Sequence, residues 1–182
     1  MRFSHFLRLW KRDEKGSTAI EFSMLSMPFI LILVGTMEIG LMFASNSVLD
    51  GATNTAARMV RTGQVQQSGG DPRQVFIDKL CEKSSFLLDC SRFQVEVVEM
   101  DSFADFSSYA ASFDGDGNPD SRGFTPGGVN SVNLVRVFYR YNLATPLIGQ
   151  FLATGPNNSR MMISTVVLET EPYDLSQVAE DL

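Results

Sequence analysis

A chain of 182 residues with a formal net charge of −6 is long enough for one modest domain plus an appendage and too short for two full domains. That acidic balance, with no basic cluster in the bulk of the chain, argues against nucleic acid as a partner, because phosphate recognition needs clustered Lys and Arg. The single histidine, His5, leaves the rest of the chain without histidine-based triads or metal sites, and no phosphate-binding glycine loop or dinucleotide fingerprint is present, so neither an enzyme nor a cofactor is expected.

Residues 1–16 hold Arg2, Arg8, Lys11, Arg12 and Lys15 against Asp13 and Glu14. This leader is net basic, and a basic leader ahead of an apolar segment keeps an N-terminus on the cytoplasmic side of a membrane. From Phe22 to Ala44 the chain reads FSMLSMPFILILVGTMEIGLMFA, with Glu38 as its only charged side chain. At 1.5 Å per residue it reaches roughly 34 Å, against a hydrocarbon core of about 30 Å, so the run is predicted to span. Pro28 removes one backbone hydrogen bond and is expected to bend the helix. Glu38, near the far interface, is read as exposed to headgroups, with pairing to another helix as the alternative. A secretory signal places its small cleavable residues after the apolar core. Here Gly16, Ser17 and Ala19 come before it, so a cut there leaves the helix on the mature protein.

The stretch KGSTAIEF sets Glu21 fifth and Phe22 sixth after Gly16. It resembles the prepilin-peptidase site of type IV pilins and pseudopilins, specifically the TadE-like pseudopilins of the tight adherence (Tad/Flp, type IVc) pilus system. The resemblance implies cleavage between Gly16 and Ser17, often with methylation of the new N-terminus, and makes Gly16, Ser17, Glu21 and Phe22 the processing site. A carboxylate in hydrocarbon is costly without a partner. After cleavage the Ser17 α-ammonium lies one helical turn from Glu21, near the positive end of the helix dipole. In a pilin-like assembly Glu21 pairs instead with a neighbouring subunit's ammonium; the plainer alternative is an interfacial carboxylate that snorkels.

Beyond Ala44, Val48, Leu49, Ala52, Ala56, Met59 and Val60 recur every three or four residues, which predicts a stalk helix running to Gly63 or to residues 68–70. AARMVRTG at 56–63 is similar to the corresponding TadE segment. Arg58 and Arg61 there either solvate a helix face or make an assembly contact. Asp71-Pro72-Arg73-Gln74 reads as a capped start, with Asp71 as N-cap, Pro72 at the first position and Gln74 closing a capping box, for a helix over 72–83. Cys81 and Cys90 lie beyond the membrane segment and are expected to form a disulfide in an oxidising compartment.

Strands are predicted over 92–100, 132–142 and 161–171 from their β-branched and aromatic content. The intervening segment 102–131 is long for a compact domain. Its Phe103, Phe106, Tyr109 and Phe113 recur at helical spacing, as an aromatic cover for the sheet or as a binding face. Within it, Asp114, Asp116, Asn118 and Asp120 echo a calcium loop, but Pro119 and Thr125 stand where that pattern needs glycine and a bidentate glutamate, so a solvated loop is favoured over a metal site. Leu147, Ile148, Phe151 and Leu152 predict a short helix packed back onto the sheet. The resemblance extends to a helix between the last strands and to Glu171-Pro172 after the final strand, and so over nearly the whole chain.

The expected fold is α+β: a long N-terminal transmembrane helix continuing as a stalk, then a small antiparallel sheet of about three strands with short helices. The expected division is a leader at 1–16, a transmembrane and stalk helix at 17–66, and an extracytoplasmic head at 67–182. The resemblance implies a non-catalytic pseudopilin, or minor pilin, in a bacterial inner membrane with a single pass, its partners being prepilin peptidase and other Tad pseudopilins or pilus subunits. The rival readings are a TadF- or TadG-like relative and an uncleaved, signal-anchored binding or adhesion module outside the cytoplasm.

Overall fold

The computed structural model describes residues 17–173. The first element, helix α1 (Ser17–Arg61), contains Pro28 without interruption. The chain divides into two compact units, Met1–Gly40 and Leu41–Leu182. In the described part of the first unit, Ile20, Phe22, Met24, Leu25, Met27 and Ile32 are all exposed. An α-helix that is apolar all round needs an apolar surround rather than water.

From Leu41 onward the helix is amphipathic. Met42, Ser45, Leu49, Ala52, Ala56, Ala57 and Val60 are buried, at spacings of three and four that keep one stripe against the core. The segment expected to be a stalk is therefore a core element, packed with Phe76, Leu80, Val95, Val97, Val135 and Val137.

Helix α1 ends in a Schellman cap. Gln64 N donates to Met59 O at 2.9 Å and Gly63 N to Val60 O at 3.2 Å, and Gly63 takes the required left-handed conformation at φ +73. Helix α2 (Pro72–Ser84) starts where the capping signals put it: the Asp71 carboxylate accepts from Arg73 N at 3.0 Å. The reciprocal half of the expected capping box is not made. Gln74 donates instead to Asp78 at 2.8 Å, an i,i+4 partner on its own helix face.

The sheet contains β1 (Phe93–Met100), β2 (Phe124–Thr125), β3 (Val132–Asn142) and β4 (Ser159–Glu169), with helix α3 (Pro146–Leu152) between the last two. The order is β2-β1-β3-β4. The three expected strands pair antiparallel, with Val97 opposite Val135 and Val135 opposite Val166. A two-residue strand from the long insertion, β2, adds a parallel edge through Val97 and Phe124; nothing in its two residues distinguishes it from a loop. One face of the sheet meets α1 and α2. The other carries a smaller cluster of Val98, Met100 and Leu134 with Tyr109 packed on it.

The insertion is more ordered than its length implied. Residues Phe103–Tyr109 form a 3-10 helix, and Phe113 meets Phe138 edge-on at 6.1 Å between ring centroids. Only part of the expected aromatic cover is realised, since Phe103 and Phe106 stay exposed. Helix α3 also departs from expectation: Phe151 is 86% exposed and does not pack onto the sheet. Seven residues give too little helix to bury both sides.

Candidate membrane segment and assembly surface

Gly16 lies outside the described residues, and Ser17 lies within α1. Glu21 and Phe22 follow within the next two turns, both exposed. The hydroxyls of the apolar stretch turn back onto the helix: Ser23 donates to Ala19 O at 2.8 Å, Ser26 to Ser23 O at 3.2 Å and Thr36 to Ile32 O at 2.8 Å. In hydrocarbon, where no water can satisfy a hydroxyl, this is the arrangement a spanning helix requires. Among the described residues, α1 is the one helix long and apolar enough to cross a membrane.

Glu38 is 3% exposed, which corrects its reading as a headgroup-facing residue.

Of the two arginines near the end of α1, Arg61 is engaged within the chain. It meets Glu171 at 3.0 Å, while Glu171 N donates to Arg61 O at 2.8 Å. Glu171 thus ties the exit from β4 to the end of the helix. Arg58 is exposed and lines an open groove with Asn54, Arg61, Val167 and Leu168.

Cys81 and Cys90 form a disulfide with their Cα atoms 5.6 Å apart. It joins the last turn of α2 to the short turn that enters β1. Beside it, Glu82 is drawn down to about 2 by hydrogen bonds and charge from Lys79 and Lys83, and Asp89 is held below its ordinary range chiefly by the Ser91 hydroxyl and amide.

Asp114, Asp116, Asn118 and Asp120 are all exposed. Asp114 turns its carboxylate onto its own loop, accepting from Asp116 N at 2.9 Å and Asn118 N at 2.8 Å. These Asn118 contacts, with that of Asp116, hold its carboxyl below the usual range. The Asn118 amide oxygen accepts from Arg140 at 3.0 Å. Among the described residues, no three His, Cys, Asp or Glu side chains are grouped to hold a metal.

The sequence reading missed a buried ionic cluster. Glu96 of β1 and Arg136 of β3 are register partners and are 1% and 3% exposed. Glu96 accepts from Arg136 and from Arg122, each at 3.2 Å, and from Arg122 N. Arg136 also donates to Tyr109 O at 2.7 Å, and the Arg122 guanidinium lies 5.5 Å over the Tyr109 ring. Burial lowers the Arg136 pKa against the opposing charge of Glu96. The signal was legible: one acid in QVEVV and one base in LVRVF interrupt otherwise apolar strand centres. Their work is to pin the long insertion to the second face of the sheet.

No curated protein and no solved structure matches the chain. The match to a family model stops at Arg58, short of the β strands and of Glu171-Pro172 over which the resemblance had been extended. Residues 16–58, which begin at the glycine of the expected processing site and run through the apolar helix, match the family described as TadE-like protein, and the chain is TadE-like over that segment.

Proposed function

We propose that the chain is a non-catalytic, TadE-like pseudopilin that serves assembly or function of a Tad pilus. The observation that carries this reading is that the TadE-like match over 16–58 coincides with the described helix long and apolar enough to cross a membrane. On this reading prepilin peptidase cuts after Gly16, and the Ser17 ammonium and Glu21 carboxylate then set the register of the helix against its neighbours in the membrane. The basic leader holds the N-terminus in the cytoplasm, which puts the sheet and its disulfide outside, where disulfides persist. Single-pass insertion through α1 leaves the sheet to meet other pilus components, and it supplies shape rather than chemistry.

The test is to express the chain with and without a prepilin peptidase and determine the mature N-terminus by intact mass and terminal peptide sequencing. A peptidase-dependent start at Ser17, lost in Gly16→Ala, is expected. An intact Met1 in both hosts leaves α1 as an uncleaved anchor and sinks the pseudopilin reading.

A further inference from the structure

The two most exposed large apolar side chains of the described residues are not in the membrane-capable run. They are Phe151, at 86%, and Phe86, at 77%, against 75% for Met24, the highest within the run. Scattered apolar side chains on a surface carry no message, but these two share one end of the sheet.

That end is fixed by the strand registers, Phe93 opposite Tyr139 and Asn142 opposite Ser159, so that β1 begins, β3 ends and β4 begins there. Helix α3 is tied to it by Arg160, which donates to Leu152 O at 3.5 Å, and by the bond of Leu143 N to Asn158 O at 3.0 Å. The disulfide loop bearing Phe86 is tied to it by Asp89 N, which donates to the Tyr139 hydroxyl at 3.2 Å.

The same end holds the first residues of the second unit. Met42 and Phe43 share a groove with Arg160 and Ile163, whereas Arg61 pairs with Glu171 at the opposite end. Leu41 and Phe43 are themselves exposed and are among the last residues of the apolar run. The polypeptide therefore enters this end of the sheet directly from the segment read as spanning.

We propose that this end rests on the lipid surface, with the Phe151 and Phe86 rings inserted at the boundary between headgroups and acyl chains. The proposal rests on the membrane reading of α1. Aromatic and aliphatic side chains on a surface element bind that boundary through the apolar area they bury. The arginines there do not argue for anionic lipid. Arg92 is paired with Asp89, Arg140 is taken up by Gly117 O and Asn118, and Arg160 donates to Leu152 O, so the contact is apolar and zwitterionic lipid suffices.

The test uses the full chain in phosphatidylcholine bicelles containing a lipid spin-labelled near the headgroup. The natural Trp10 is replaced by W10F, and single indoles are introduced as F151W, at the end in question; F103W, at the opposite end, where Phe103 is also exposed at 53%; and F29W, in the apolar run. None of the three replaces a buried ring, so the fold is kept. The expected result is at least twofold quenching and a blue-shifted emission for F151W, with F103W unaffected and F29W quenched. Quenching of F29W with F151W no different from F103W overturns the proposal and leaves the membrane reading intact. A failure to quench F29W overturns the membrane reading and the proposal with it.

Discussion

Glu96 shows how much a single residue holds in place. Its carboxylate meets two guanidinium groups and one backbone amide, and it is almost fully buried. Removing one member of a buried ion pair strands the other charge in a low dielectric, which costs about 3–5 kcal/mol. Glu96→Ala is therefore expected to destabilise the sheet by that order and to loosen the segment around Tyr109, read by urea unfolding and by proteolysis of the insertion. Glu96→Met combined with Arg136→Leu is expected to recover most of the loss, because apolar replacement of both partners removes the stranded charge. An equal loss in the single and double variants would refute the ionic account.

Asp114 makes a second, smaller prediction. Its folded pKa lies below the ordinary value of 3.8, so its contribution to the loop is fully present above about that pH and is lost as pH falls through the lower folded value. Hydrogen exchange at the Asp116 and Asn118 amides should accelerate below pH 4 beyond the intrinsic rate, and should do so less in Asp114→Asn, which does not titrate. Both features are charges or carboxylates in strand centres and turns, and the sequence offered each as a residue. Pairing stayed hidden, because Glu96 and Arg136 meet only through a register that no local pattern encodes.

At the scale of elements, the signals that read correctly are those whose cause is local. The α2 start follows from Asp71 and Pro72, and the three long strands from β-branched runs. The errors lie where a neighbour decides. Gln74 chose Asp78 over the cap, and α3 formed at its predicted spacing without burying Phe151. Gly63 belongs to the local kind. It ends α1 at φ +73, and a Cβ added there would run into the Tyr173 ring. Gly63→Ala is thus expected to cost about 1–2 kcal/mol from the left-handed backbone alone, and more if the ring cannot move. Chemical denaturation of the variant beside Gly69→Ala checks this, since Gly69 has a similar φ of +64 but open space at its Cβ. Equal losses at both glycines would remove Tyr173 from the account.

For the whole molecule, the informative point is which part of α1 the sheet depends on. The sequence reading placed a transmembrane and stalk helix at 17–66 and a head at 67–182, the stalk beginning where polar residues replace apolar ones at Ser45. The alanine stripe from 52 to 57 is as consistent with a stalk as with a close-packed core helix. Burial separates the two: Leu49, Ala56 and Val60 are inaccessible to solvent and cover Val97, Val135 and Val137 in one cluster. A chain shortened to begin at Leu41 keeps that cluster whole. One shortened to begin at Gly70 strips the cover from one sheet face, exposing several side chains worth about 1.5–3 kcal/mol each on burial, together more than a small domain's net stability of about 5–15 kcal/mol can tolerate. The first is expected to give a single cooperative thermal transition, and the second to aggregate or bind a hydrophobic dye without one. A cooperative transition in the chain from Gly70 would mean that the sheet and its short helices are sufficient by themselves. Residues 41–61 would then be restored to the role of a connecting stalk.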